Sequence, residues 1–459
     1  MSEPSLRFFP WNRFCALVLV SFLSFVTQGQ ANPPLSLEET IRLAIERNPI
    51  HLSVLEQEEE RRAAIREVKA SAYPSITFSS SYSRTRSPSL LNSKDFESFL
   101  EQFPEGFSPS VQPMHTLNVE INQPIYTFGR IKSAVELAKV VQREVEARTW
   151  TSRLDVAHTA GISHIAIVTA IKNRDMLRQD REVRQETLQL VERRYQLGEA
   201  TKLEWLRAKA TLAELQPAVL QAEHDVVLAE LALKKLLNLP LDRELSVALT
   251  LPSVSEEMTR EGNTTLAPRP ELLELQEQIN SLQQQATIQR SFGLPSLDFR
   301  ANYGREALYL ENVLKTDFRN WNAAVEFSWH VYDGGERKAK IAQIQAQIRQ
   351  LTLRQQDLIY QIKLEVTQAR KTYQTALAEL HAAKTGAAVS AEAFHVAELS
   401  YREGVALHND LLDAQQQALS ANTAVLQAEL AVARSVLDLY RAHGTWMPSS
   451  EDTQGATTP

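Results

Sequence analysis

The stretch VEINQPIYTFGRIKSAVELAKV, Val119 to Val140, alternates apolar and polar residues, reaches an aromatic and a glycine, and then takes up a helical rhythm. Apolar residues at every second position mark one face of a strand, whereas spacings of three and four mark one face of a helix. A second stretch, VEFSWHVYDGGERKAKIAQIQAQI, Val325 to Ile348, does the same. Tyr126 and Gly129 of the first answer to Tyr332 and Gly335 of the second. Glycine permits the backbone change at which period 2 becomes period 3.6. The chain builds one strand-to-helix joint twice.

The duplication extends in both directions. Tyr195 and Gly198 in RRYQLGEA match Tyr401 and Gly404 in LSYREGVA at the same shift of 206 residues that relates the joints. Upstream, AYPSITFSSSYSR (from Ala72) aligns with GLPSLDFRANYGR (from Gly293) at a shift of 221, so the first half carries about fifteen extra residues between its paired strands. That insertion lies in the Ser- and Pro-rich, loop-like run from Ser87 to Thr116. A fixed shift over this much sequence is the mark of a tandem repeat.

Each half reads as helix, strand, loop, strand, long helix, Tyr-x-x-Gly turn, helix. The first repeat spans 32–240, with strands over about 74–85 and 116–128, a long helix over about 130–195 and a return helix over about 201–237. A Pro-containing linker covers 238–270. The second repeat, 271–446, has strands over about 295–305 and 321–332 and helices over about 336–401 and 407–441, and 447–459 reads as a disordered tail. A helix of some 66 residues is on the order of 100 Å long, which suits a coiled-coil rod or tube and not a compact domain. Pro217 is expected to kink the first return helix.

The strands have two faces. Ile76, Phe78 and Tyr82 alternate with Thr77, Ser79, Ser81 and Ser83, and Leu117, Val119 and Ile121 with Asn118, Glu120 and Asn122. Leu297, Phe299 and Tyr303 alternate with Asp298, Arg300 and Asn302, and Val325, Phe327 and Trp329 with Glu326, Ser328 and His330. Such alternation occurs in any half-buried antiparallel sheet. It is also the pattern of a transmembrane barrel, apolar toward lipid and polar toward a wet lumen. The charges and amides on the polar face suit water better than a protein core. Four strands do not close on themselves, and open edges are not tolerated in lipid, so the barrel must be assembled from several chains.

Composition fits an exported protein. Residues 1–31 read as a signal peptide: Arg7 and Arg13 form its basic start, Phe14 to Thr27 its apolar stretch, and Gly29-Gln30-Ala31 a small-x-small cleavage site. The single cysteine of the 459 residues, Cys15, lies within that stretch, so no disulfide, thiolate chemistry or lipid anchor is expected in the mature chain. No later apolar run reads as a transmembrane helix. The formal charge of −7, with Lys and Arg spread among acidic residues, argues against nucleic acid as a partner. No Walker-type loop, His-x-x-x-His or G-x-S-x-G is present, so neither an enzyme nor a cofactor site is expected. His408, Asp410 and Asp413 have a spacing that could ligate a metal, but polar groups at a turn are usually solvated, and no metal site is assigned.

The signal peptide, the opening LSLEETIRLAIERNP (from Leu35), the paired P-S-x-x-F-x-x-x-Y strands and the two Y-x-x-G turns together resemble the TolC family of outer-membrane efflux and secretion channels. The resemblance covers residues 35 to 446. It implies a mainly helical fold with transmembrane strands, in which three chains form a twelve-stranded barrel in the outer membrane, continued by a helical tunnel through the periplasm. It implies a passive exit duct for a tripartite efflux pump or a type I secretion system. The implied partners are two further copies of the chain, outer-membrane lipid, a periplasmic adaptor (membrane fusion) protein, and an inner-membrane pump or ABC transporter. In that family the Tyr-x-x-Gly turns lie at the periplasmic tip where adaptors dock, which assigns Tyr195, Gly198 and Gly404 to the tip. The aperture aspartates match Asp410 and Asp413, and Tyr401 and Glu204 match two members of a latch whose arginine is replaced here by Ala406. Asn409 and Asp410 also suit the start of a return helix, where short polar side chains cap the first turn. A non-channel coiled-coil scaffold remains the alternative function.

Overall fold

The computed structural model describes residues 34–86, 111–250, 252 and 269–445. The expected signal peptide, most of the Ser/Pro-rich loop, much of the 238–270 linker and the C-terminal tail lie outside the described residues.

The chain opens with two short helices, α1 (Leu37–Arg47) and α2 (Pro49–Ala70). Ser36 caps α1 by accepting from the Glu39 amide, and Asn48 ends α1 while its side chain accepts from the Ile50 and His51 amides to start α2. Pro49 takes the first helical position, where no amide donor is required. The antiparallel pair β1 (Ser75–Arg86) and β2 (Val111–Tyr126) follows, then the 67-residue α3 (Arg130–Gln196) and the 35-residue α4 (Lys202–Leu236). The second half repeats the order: α5 (Pro270–Ser291), β3 (Ser296–Ala307), β4 (Arg319–Ser328), the 67-residue α6 (Glu336–Arg402) and the 35-residue α7 (His408–Ala442).

The four strands form one antiparallel sheet in the order β1-β2-β3-β4, so β2–β3 pairing joins the two repeats. Register sorts the faces row by row. Phe78, Val119, Tyr303 and Trp321 lie abreast, whereas the next row is Thr77, Glu120, Asn302 and Asn322. On the apolar face Ile76, Phe78, Trp321 and Phe327 are each more than 60% exposed. A sheet that buries neither face in its own chain has aromatic residues awaiting a non-aqueous neighbour.

The fourth strand is shorter than its alternation suggests. β4 ends at Ser328, opposite Ser296, the first residue of β3. Beyond that point no ladder partner remains, and Trp329 turns its indole N–H onto the Gly293 carbonyl at 3.0 Å instead. Conversely β2 starts earlier than expected, at Val111, because β1 continues to Arg86 and pairs with it.

At both joints a left-handed glycine precedes the helix, Gly129 at φ 84° and Gly335 at φ 88°. An added Cβ would meet nothing within 4 Å at either, so backbone conformation and not space calls for glycine. The preceding residue is also left-handed in each joint, Phe128 at φ 48° and Gly334 at φ 63°. Phe128 therefore holds a conformation costly for a bulky side chain, and its ring packs edge-on against Tyr126 at 4.6 Å.

The core sits midway along the helical body. Leu37, Ile41 and Ala44 of α1 pack on Val156, Ala157, Ala160, Ile167 and Val168 of α3, together with Leu233 and Leu237 at the end of α4. Leu35 and Val247 close this layer through a parallel bridge. The α3 helix packs against α1, α2, α4, α5 and α7, and it contains a window long and apolar enough to cross a membrane. That corrects the expectation from sequence alone that no such run exists; half of the window is buried in this core. Pro217 lies within α4, whose helix runs unbroken on both sides of it.

The α6 helix is the less buried twin of α3. Leu353, Tyr360, Leu364, Val389 and Val396 are each more than half exposed along it. Between the halves, Arg269, 4% exposed, donates to Glu271 at 3.0 and 3.1 Å, to Glu365 at 3.3 Å and to the Ala442 carbonyl at 2.5 Å. Arg441 joins the same network through Glu271 at 2.9 Å and Asp155 at 2.7 Å.

Candidate functional site: the four-helix tip

The distal ends of α3, α4, α6 and α7 meet around Val191, Ala208, Tyr401 and Leu411, all at most 3% exposed. Two turns connect the helices there, and they match bond for bond. In the first, Gly198 donates to the Tyr195 carbonyl and Glu199 and Ala200 to Arg194; in the second, Gly404 donates to Tyr401 and Val405 and Ala406 to Ser400. Gly198 and Gly404 are left-handed, at φ 81° and 79°. This is the glycine-terminated helix end, in which backward amide bonds satisfy the last carbonyls.

The two tyrosines that precede these glycines have different surroundings. Tyr195 is 38% exposed and stacks on Trp205 of α4 at 5.9 Å, with Lys209 over the other ring of the pair at 5.5 Å. Tyr401 is buried, with the Arg194 guanidinium 4.7 Å from its ring centroid. Arg194 also donates to the Tyr401 carbonyl and lies 3.7 Å from Glu199. Burial raises the Tyr401 phenol above its ordinary range, with Glu204 adding to the rise and Arg194 opposing it. The phenol hydroxyl has no hydrogen-bond partner among the described residues.

Glu204 is committed locally. Its carboxylate accepts from the Thr201 amide at 2.8 Å while the Thr201 hydroxyl accepts from the Glu204 amide at 3.3 Å, a reciprocal cap at the start of α4. Asp410 does half of the same at α7, accepting from the Leu407 amide at 3.0 Å. Asp410 and Asp413 are both exposed, one turn apart. Asp410 borders a groove between α6 and α7 lined mainly by small apolar side chains, including Ala388, Ala393 and Ala397, with Glu392 beside them. Asn409 accepts from Arg207 of α4 at 2.6 Å, tying the two return helices together.

The tip thus brings Tyr401, Glu204, Asp410, Tyr195, Gly198 and Gly404 into one region. The joint residues Tyr126, Gly129, Tyr332 and Gly335 lie at the other end of α3 and α6, where Tyr126 and Tyr332 are 55% and 87% exposed. Sequence reasoning missed Arg194 and Gln415, and it read His408 as a solvated turn residue, whereas it is 2% exposed. Arg194 precedes the first tip tyrosine, but nothing in its neighbours announces that it crosses to the second. His408 is buried under Tyr401, with ring centroids 5.5 Å apart. No group of three or more His, Cys, Asp or Glu side chains suited to a metal ion occurs among the described residues.

A family model for outer membrane efflux proteins matches residues 40–239 and 262–445, both repeats in turn. The probable efflux pump outer membrane protein TtgC of Pseudomonas putida is 23% identical over 394 residues, covering 83% of this chain and 77% of TtgC. The alkaline protease secretion protein AprF of Pseudomonas aeruginosa is 21% identical over 422 residues, covering 86% and 81% of the two chains. Among solved structures, the Campylobacter jejuni CmeC outer membrane channel superposes with a TM-score of 0.76 at 20% identity, over 91% of this chain and 87% of CmeC.

Proposed function

The chain belongs to the outer membrane efflux protein family, and from that premise we propose that three copies assemble into a continuous duct, the outer-membrane exit of a tripartite efflux pump or a type I secretion system. The observation that carries the reading is the sheet. Four strands expose an aromatic face and leave β1 and β4 as open edges, and a membrane requires those edges to be paired. Three copies supply twelve strands, β4 of one chain meeting β1 of the next. The exposed apolar side chains of α6 then find neighbours in adjacent copies, and the helices continue the barrel wall as a tunnel.

On this reading the chain carries no chemical step. Energy comes from an inner-membrane pump or ABC transporter, and a periplasmic adaptor engages the tip turns at Tyr195, Gly198 and Gly404. Asp410 and Asp413 of three chains form stacked acidic rings that favour cations in a narrow aperture. Tyr401 and Glu204, with Arg194, hold that aperture in its packed form. The test is reconstitution of detergent-purified protein in a planar bilayer. Discrete conductance steps are expected, and a trimer without any conductance would sink the duct in favour of a scaffold.

A further inference from the structure

We propose that His408 is a proton-operated gating residue: neutral, it packs beneath Tyr401 and holds the first turn of α7 against the other three helices, and protonated, it releases that turn and opens the tip. The inference rests on the duct reading above.

Polar atoms without partners meet where His408 packs on Tyr401. His408 is the first residue of α7 and 2% exposed, and neither ring nitrogen has a hydrogen-bond partner among the described residues. Above it lies Tyr401, 3% exposed, with its hydroxyl unpartnered. Two turns along α7, Gln415 is also 3% exposed and its amide nitrogen is unpartnered. A neutral imidazole leaves one donor and one acceptor unmet in this pocket. An imidazolium carries a full charge and two donors, which burial penalises far more heavily.

The charged groups around the ring do not relieve that penalty. From α4, Glu204 favours the protonated ring and Arg207 opposes it, both with less effect than burial. The Glu204 carboxylate is already engaged by Thr201. From α3, Arg194 covers Tyr401 and adds positive charge to the same cluster. Burial therefore holds His408 below its ordinary value near 6.5. A group whose packed-state pKa is depressed favours packing above its free value and disfavours it as pH falls. Closure is favoured above about pH 6.5 and weakens below it, by at most about tenfold per pH unit for each protomer.

The test compares the full-length trimer with His408→Leu, which fills the space without titrating. Single-channel open probability is measured in planar bilayers at pH 7.5 and 5.5, and amide exchange protection of residues 401–411 is measured in detergent at the same two values, corrected for the intrinsic rate. The wild type is expected to open more often at pH 5.5, by up to about tenfold per protomer, and to lose protection in this segment, with His408→Leu unresponsive in both. If His408→Leu does not assemble, His408→Gln supplies the same comparison. A wild type indifferent to pH in both measurements, or a variant that keeps the wild-type response, overturns the proposal. Protection that depends on pH and on His408, in a trimer that never conducts, supports the proton-operated element and refutes the duct.

Discussion

The Arg194 guanidinium at the end of α3 lies 4.7 Å from the Tyr401 ring centroid at the end of α6. This contact links the two repeats at their far ends, 207 residues apart in sequence. A partly desolvated cation over an aromatic face contributes about 1–2 kcal/mol. Arg194→Ala is expected to raise open probability in bilayers roughly five- to thirtyfold, and Arg194→Lys, which keeps the charge and loses the planar fork, by less. An unchanged open probability in Arg194→Ala would remove the contact from the closure mechanism.

Asp410 accepts from the Leu407 amide and is exposed, so it can cap α7 and line an aperture together. Replacing Asp410 and Asp413 by alanine separates the two roles. Loss of the acidic rings is expected to shift the reversal potential in a salt gradient toward zero while the trimer remains assembled. A pure capping role predicts a helix weakened by about 0.5–2 kcal/mol with an unaltered reversal potential.

His164 is wholly buried in the central core, with Nδ1 2.9 Å from the Thr40 hydroxyl. Burial lowers its pKa to about 4, against a smaller opposing effect of a hydrogen bond with the Ala248 backbone. The folded value lies below the unfolded one, so its contribution is complete above about pH 6.5 and is lost as pH falls toward 4. The thermal midpoint is expected to drop across this window in the wild type and to drop less in His164→Leu.

Glu271 behaves in the same direction at lower pH. Burial pushes its carboxyl up, but hydrogen bonds from Arg269 and Arg441 outweigh burial and bring it to about 2. The network should be intact above the ordinary carboxylate range and fail between there and pH 2. Arg269→Ala leaves Glu271 with one cation fewer and the Ala442 carbonyl unpaired, and is expected to cost about 3 kcal/mol or more. Denaturant titration at pH 7 checks the magnitude, and a value near zero would mean solvent replaces the guanidinium freely.

Orientation is testable on whole cells. The β1–β2 and β3–β4 connections should be cut by external protease, and the turns at Tyr195 and Tyr401 should be protected until the outer membrane is opened. The reverse pattern would invert the chain in the membrane.

Much of the architecture is legible because it is periodic. Alternation marks β1 to β3, helical spacing carries α3 and α6 over their lengths, and the repeated Tyr-x-x-Gly pairs locate the turns. Alternation misleads at Trp329 to Tyr332, because a strand ends where its partner ends, and the partner's start at Ser296 is a property of the other strand. The tip is less legible for a related reason. Arg194 and His408 acquire their surroundings from four helices that meet only in three dimensions, and a histidine opening a helix looks solvated until Tyr401 is laid over it. Glu204 and Asp410 are readable as caps from local sequence alone, since the amides they satisfy are three residues away.

The matched helix lengths, 67 residues in α3 and α6 and 35 in α4 and α7, make the protein a ruler with two equal scales. One residue added to α6 alone would advance everything beyond it by about 1.5 Å and turn it by about 100°, carrying Tyr401 out from under Arg194. Hairpin connections bear no such constraint, and there the two repeats do differ, by about fifteen residues. Length can drift in the strand connections, but an insertion in α3 or α6 has to be matched in the helices packed beside it.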